Sequence, residues 1–126
     1  MKIFIHLLLG LIITTRLFSQ CANSNNVYIF FDNNTKYEVV KELKTWINAV
    51  VCAVERGGFL VEINDVNEQN AVYNGIINGA QVSQSYTAVP NGGNIAYVWI
   101  GASDQNVEGT WIWDGNNDNT GTHFWS

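Results

Sequence analysis

The sequence predicts a single α+β domain built on antiparallel sheets. Three observations predict it. Its patterns run strand, helix, strand, helix and then strands only, which is not the regular alternation of a doubly wound parallel fold. Both helical segments carry start and stop residues of their own. The chain has 126 residues, 47% hydrophobic and 13% aromatic, enough apolar material for one core and no more than one domain.

Residues 1–19 read as a secretory signal peptide. Lys2 supplies a positive start, Ile3 to Ile13 form an apolar run broken only by His6 and Gly10, and Ser19 offers a small residue at the cleavage point. An eleven-residue run is too short to span a bilayer of about 30 Å as a helix. A lipoprotein reading would acylate Cys21, but Gln20 stands where that motif wants Gly or Ala. No other apolar stretch has membrane length.

Residues 20–36 form a lead-in strand and turn. Val27 to Phe31 is β-branched and aromatic, and Asp32-Asn33-Asn34 is a turn sequence. Asn33-Asn34-Thr35 is also a glycosylation sequon. Tyr37 to Val40 is a second short strand. Thr45 to Arg56 reads as a helix capped by Thr45 and stopped by Gly57-Gly58. Nearly every side chain from Trp46 to Val54 is apolar, which predicts burial on most of its circumference. Phe59 to Ile63 follows as a strand with Phe59, Val61 and Ile63 on one face.

Asp65 and Glu68 have the spacing of a capping box and open a second helix through about Ile77, ended by Asn78-Gly79. Residues 80–94 are a loop containing Pro90, the only proline. Ile95 to Gly101 reads as a buried strand, Asp104 to Gly109 as a loop, and Thr110 to Trp113 as a strand ended by Asp114-Gly115. Gly101 leaves room for a neighbouring backbone or a Trp ring. Trp111 and Trp113 share a face, with Ile112 opposed. The preferred reading of the tryptophans is core packing; sugar stacking would need an exposed ring.

The formal net charge is −5. Loss of residues 1–19 removes Lys2 and Arg16 and no acid, leaving four basic against eleven acidic residues, a balance of −7. Such a surface repels phosphates and excludes charge-driven nucleic-acid binding. The aromatic content excludes a solvated disordered tail, and two cysteines are too few for a disulfide-scaffolded miniprotein.

Several short motifs occur in a particular order: Thr45-Trp46, Ala49 and Cys52 on the first helix; Gly57-Gly58-Phe59-Leu60-Val61-Glu62-Ile63; Glu68; Trp99-Ile100-Gly101-Ala102; Asp104; Glu108-Gly109-Thr110-Trp111; and Trp113-Asp114-Gly115. In order and spacing this set resembles a C-type lectin-like domain of the bacterial exported type, covering residues 37–126. The resemblance implies two helices packed on antiparallel sheets, and a structural frame of Trp46, Cys52, Gly58, Trp99, Gly101, Gly109, Trp111 and Trp113. It also implies a glycan or extracellular protein as ligand.

Sugar binding in that family rests on calcium held by a Glu-Pro-Asn loop and a Trp-Asn-Asp strand. Neither motif occurs, since Pro90 follows Val89 and the sequence closes on Phe124-Trp125-Ser126. The domain is therefore expected to be incomplete at its C-terminus, with the principal calcium and sugar site missing. Asp104 and Glu108 match the family's auxiliary calcium ligands. Two carboxylates offer at most four of the six to eight oxygens calcium takes, so any calcium here is expected to be weak; the alternative is a solvated turn. Asp114 to Thr120 imitates the opening of an EF-hand loop, but Asn119 and Trp125 stand where Gly and Glu belong. A polar hairpin turn is the better reading.

The resemblance places a half-cystine at Cys52, its partner near the domain's end, where no cysteine stands. An export compartment would permit a bridge to Cys21, yet a cysteine in a buried helix behaves as a small apolar residue, and the unpaired reading is preferred. Nothing singles out a catalytic centre: the only histidine after residue 19 is His123, and no nucleophile elbow, HExxH or phosphate-binding glycine loop appears. The expected function is that of a non-enzymatic, secreted or cell-surface recognition module. The alternatives are a calcium-independent protein-interaction module and a non-functional fragment of a longer protein.

Overall fold

The computed structural model describes residues 20–83 and 96–126. The leader at 1–19, most of the loop at 80–94 with Pro90, and Ile95 lie outside the described residues.

The lead-in begins with a short 3-10 turn at Ser24–Asn26. Strand β1 (Val27–Asp32) then pairs antiparallel with β2 (Thr35–Val40) from Val27↔Val40 to Asp32↔Thr35. Asn33 and Asn34, both at positive φ (44° and 66°), make the two-residue connection, the left-handed pair that a tight hairpin requires and Asn tolerates.

Helix α1 (Trp46–Glu55) is capped as expected: the Thr45 hydroxyl accepts from the Asn48 amide at 3.2 Å. At its end Gly57, at φ 87°, donates to the Val54 carbonyl, and Gly58 donates to that of Ala53, the pattern of a Schellman cap. Its burial is narrower than predicted. Val50 and Cys52 are buried, whereas Ile47, Val51 and Val54 are about half exposed. An apolar composition does not bury a helix on faces where no described element lies.

Cys52 is not free. Cys21 and Cys52 form a disulfide, which corrects the unpaired reading. The 3-10 turn brings Cys21 against α1, with Cα atoms 5.3 Å apart, and a buried position on the helix does not prevent bonding to a chain that crosses it.

Helix α2 (Val66–Asn74) starts at Asp65, whose Oδ1 accepts from the amides of Asn67 and Glu68 at 2.8 and 2.9 Å. Glu68 answers one residue earlier than a capping box requires, accepting from the Asn64 amide at 2.9 Å. The helix does not stop at Ile77 but continues as a π turn over Gly75–Gly79. Two glycines in this turn let β1 pack against it. A Cβ on Gly75 would lie 2.4 Å from the Phe30 ring, and one on Gly79 would lie 2.4 Å from the ring of Tyr28. The β1 aromatics thus lie directly on the helix backbone, with Phe30 stacked on Tyr37 at 4.9 Å.

The remaining strands form a small antiparallel sheet of order β3-β4-β5: Ala102–Ser103, Trp111–Trp113 and Thr122–Trp125. Ala102 faces Trp113, and Trp113 faces Thr122. Strand β5 has no counterpart in the sequence reading. Two expected strands are absent. Phe59 to Ile63 and residues 96–100 form no ladder; they are joined instead by single backbone bonds, Leu60 to the Gly115 carbonyl and Gly101 to the Val61 carbonyl. Residues 96–100 are not a buried strand, since Tyr97, Val98 and Trp99 are exposed. Among the described residues, no helix is long and apolar enough to cross a membrane.

Candidate functional site

The eight frame residues do not gather at one place in the fold. Trp46 and Trp99 tie the segment before β3 to the start of α1: the Trp46 indole N–H donates to the Ile100 carbonyl at 2.9 Å, and that of Trp99 to the Lys44 carbonyl at 2.8 Å. Cys52 and Gly58 anchor the two ends of the helix's second half, through the disulfide and the Schellman cap. Gly101 meets backbone, as predicted: a Cβ there would lie 2.8 Å from the Leu60 carbonyl oxygen and 3.0 Å from Gly115 Cα. Trp111 and Trp113 stand on β4, and Trp113 stacks on Phe124 with ring centroids 4.3 Å apart.

The tryptophans are not a sealed core. None of the five is fully buried, and Trp99 and Trp125 are more than half exposed. Their polar edges explain part of this, because indoles that donate to carbonyls at the surface sit at a boundary between apolar and wet surroundings.

The acidic loop keeps Asp104 and Glu108 at its two ends. Asp104 Oδ2 accepts from the Gly109 amide at 3.2 Å, Gly109 takes φ 79°, and Glu108 is exposed. One carboxylate thus already serves the turn. Among the described residues, no three His, Cys, Asp or Glu side chains gather as a metal shell. Two carboxylates, one of them engaged, fall short of six to eight oxygens; the loop does not fit a tightly held calcium ion.

The segment that imitates an EF-hand is the β4–β5 hairpin turn. Asp114 is buried, and its two oxygens accept from the amides of Asp118 and Asn119 at 2.9 and 3.1 Å. Asp118 in turn accepts from the Asn116 side chain, the Thr120 amide and the Thr120 hydroxyl. Those donors hold the Asp118 carboxyl below its ordinary value, the Thr120 hydroxyl foremost. Both acids are occupied in shaping the turn.

Beside this turn lies a shallow cleft of about 210 Å³, lined by Phe59, Glu62, Trp113, Asn116, Asp118 and Thr122. The sequence places Phe59 and Glu62 only in the strand motif after Gly57-Gly58, and Asn116 only in the EF-hand-like stretch, and gives none of them a ligand role. Its assignment of Phe59 to a strand face hid the signal, a large apolar residue followed three positions later by an acid and leaving the chain just after a glycine pair. Comparison with known families matches residues 42–126 to the Lectin C-type domain. No curated protein and no solved structure matches the chain.

Proposed function

The chain belongs to the C-type lectin domain family, and from that membership we propose that it is an exported recognition module whose ligand is a glycan. The observation that supports this reading is the cleft beside the β4–β5 hairpin, where aromatic and polar side chains line one open surface. C–H faces of sugars pack on aromatic rings while hydroxyls pair with carboxylate and amide groups, a combination that binding sites use to orient a ligand.

Calcium enters this reading only as a weak auxiliary contact at Asp104 and Glu108, completed by water, and recognition does not depend on it. Export rests on the apolar run and Ser19 in residues 1–19. N-terminal sequencing of the secreted product should begin at Gln20; an N-terminus that retains Lys2 would count against export by this leader.

A second reading, a module for a protein ligand, is favoured by the exposed side chains of Tyr97, Val98 and Trp99, which together present a mainly apolar ledge. A glycan array probed in calcium buffer separates the two. Saturable binding to at least one glycan supports the leading reading, and a blank array favours the second.

A further inference from the structure

The cleft is held open from behind by backbone. Leu60 donates to the Gly115 carbonyl at 3.0 Å, the Gly115 amide donates to Glu62 Oε1 at 3.4 Å, and a Cβ on Gly115 would lie 2.2 Å from the Leu60 carbonyl oxygen. The Leu60 and Gly115 backbones therefore stand at a spacing that side-chain motion does not change.

Several groups on its surface are left to face solvent. Asp118 is consumed by the turn. Glu62 Oε2, the Asn116 side-chain oxygen and the Thr122 hydroxyl have no protein partner among the described residues. Beside them is the Phe59 ring, 61% exposed, with Trp113 fixed by its stack on Phe124. No Lys or Arg lines the cleft, and two of its residues are acids. An anionic sugar would meet like charge here. At about 210 Å³ the space lies below the roughly 300–1,000 Å³ of sites for drug-sized ligands, a volume suited to one ring.

We propose that this cleft is a subsite for one neutral pyranose unit, stacked on Phe59 and hydrogen-bonded to Glu62 and Asn116 without calcium. It rests on the reading of the protein as a glycan-recognition module, and it adds the place, the sugar class and the absence of a metal bridge.

The test is solid-phase binding of the protein to three immobilised probes in EDTA and, separately, in millimolar calcium. Mannan and a neutral β-glucan are the uncharged probes, and alginate is the anionic one. Phe59→Ala and Glu62→Gln are compared with Phe31→Ala, a similarly exposed aromatic on β1. Both cleft residues are part of the surface, and unchanged thermal melts confirm that the variants fold.

The expected result is binding of a neutral probe in EDTA, weakened roughly tenfold by Phe59→Ala and by Glu62→Gln and unaltered by Phe31→Ala. Binding that requires calcium, or that ignores both cleft variants, overturns the subsite while leaving the recognition reading intact. Alginate binding as tight as that of the neutral probes overturns the assigned sugar class. Silence on all three probes in both buffers overturns the subsite, and a full glycan array that is also blank removes the glycan reading with it.

Discussion

At the scale of single residues, the hairpin turn depends on one side chain. Asp114 is 3% exposed, and each of its oxygens takes a backbone N–H from Asp118 or Asn119. A turn with two residues in the left-handed region, Asn117 and Asn119 at φ 56° and 64°, would otherwise leave those amides without a protein acceptor. A hydrogen bond to a charged acceptor contributes about 1.5–3 kcal/mol. Asp114→Ala should therefore lower the melting temperature by roughly 4–8 °C for each kcal/mol in a domain of this size. Asp114→Asn, which keeps one oxygen, should fall between Ala and the native chain. Melts followed by circular dichroism check the order, and an Ala variant as stable as the native chain would show that water replaces the carboxylate. The oxygen-rich spacing from Asp114 to Thr120 was legible in the sequence, and so was its meaning as a turn. What spacing does not show is that Asp114 is buried, because the segments against this turn, Gly101 accepting from the Asp114 amide and Leu60 bonded to Gly115, come from distant parts of the chain.

Among the elements, those defined by their own residues were readable and those defined by their neighbours were not. The β1–β2 hairpin rests on adjacent strands and an Asn pair, and both helices rest on caps within a few residues. Such local signals survive in sequence. The segments 59–63 and 96–100 are also mostly apolar, yet they and Gly101 bond singly, Leu60 to Gly115, Val61 to Gly101 and Gly101 to Asp114. A strand needs a partner running alongside it, and here each hydrogen bond goes to a different crossing segment. The Cys21–Cys52 bridge is permitted by the sequence but not preferred there, for a related reason: helix burial is read from composition, while the partner arrives from a segment 31 residues away. Gly101 is the point where the crossing segments meet, and its expected close approach was correct. A Cβ there would press on three backbone atoms, the Leu60 and Val61 carbonyl oxygens and Gly115 Cα, within 3.1 Å. Backbone cannot turn aside as a side-chain tip can, so Gly101→Ala should cost about 1–3 kcal/mol. Gly58→Ala, whose nearest such atom is 3.9 Å away, should stay within about 0.5 kcal/mol of the native chain. Urea denaturation midpoints compare the two, and equal midpoints would remove Gly101 from its role as the crossing point.

For the whole molecule, the question is what holds so thin a core together. The buried apolar residues among those described are small: Ala22, Val39, Val50, Cys52, Val72 and Ala80, with no large side chain below 2% exposure. Small domains of this kind gain little from burial alone and add covalent or metal staples. The acidic loop does not complete a calcium shell, so the Cys21–Cys52 bridge is the staple available. It ties the 3-10 turn and β1 to α1 across a sequence separation of 31. In the chain-entropy account, closing a loop of that length contributes about 3–4 kcal/mol, a large part of the 5–15 kcal/mol that a native domain typically holds. Cys21→Ser is the informative variant, because Cys21 is only partly buried while Cys52 lies in the core. That variant should melt at least 10 °C below the native chain, and reductant should bring the native chain to the same temperature. Addition of millimolar calcium, or its removal with EDTA, should move neither melt by more than about 1 °C. If the reduced chain melts where the oxidised one does and calcium raises both, the stabilising element is the acidic loop and not the bridge.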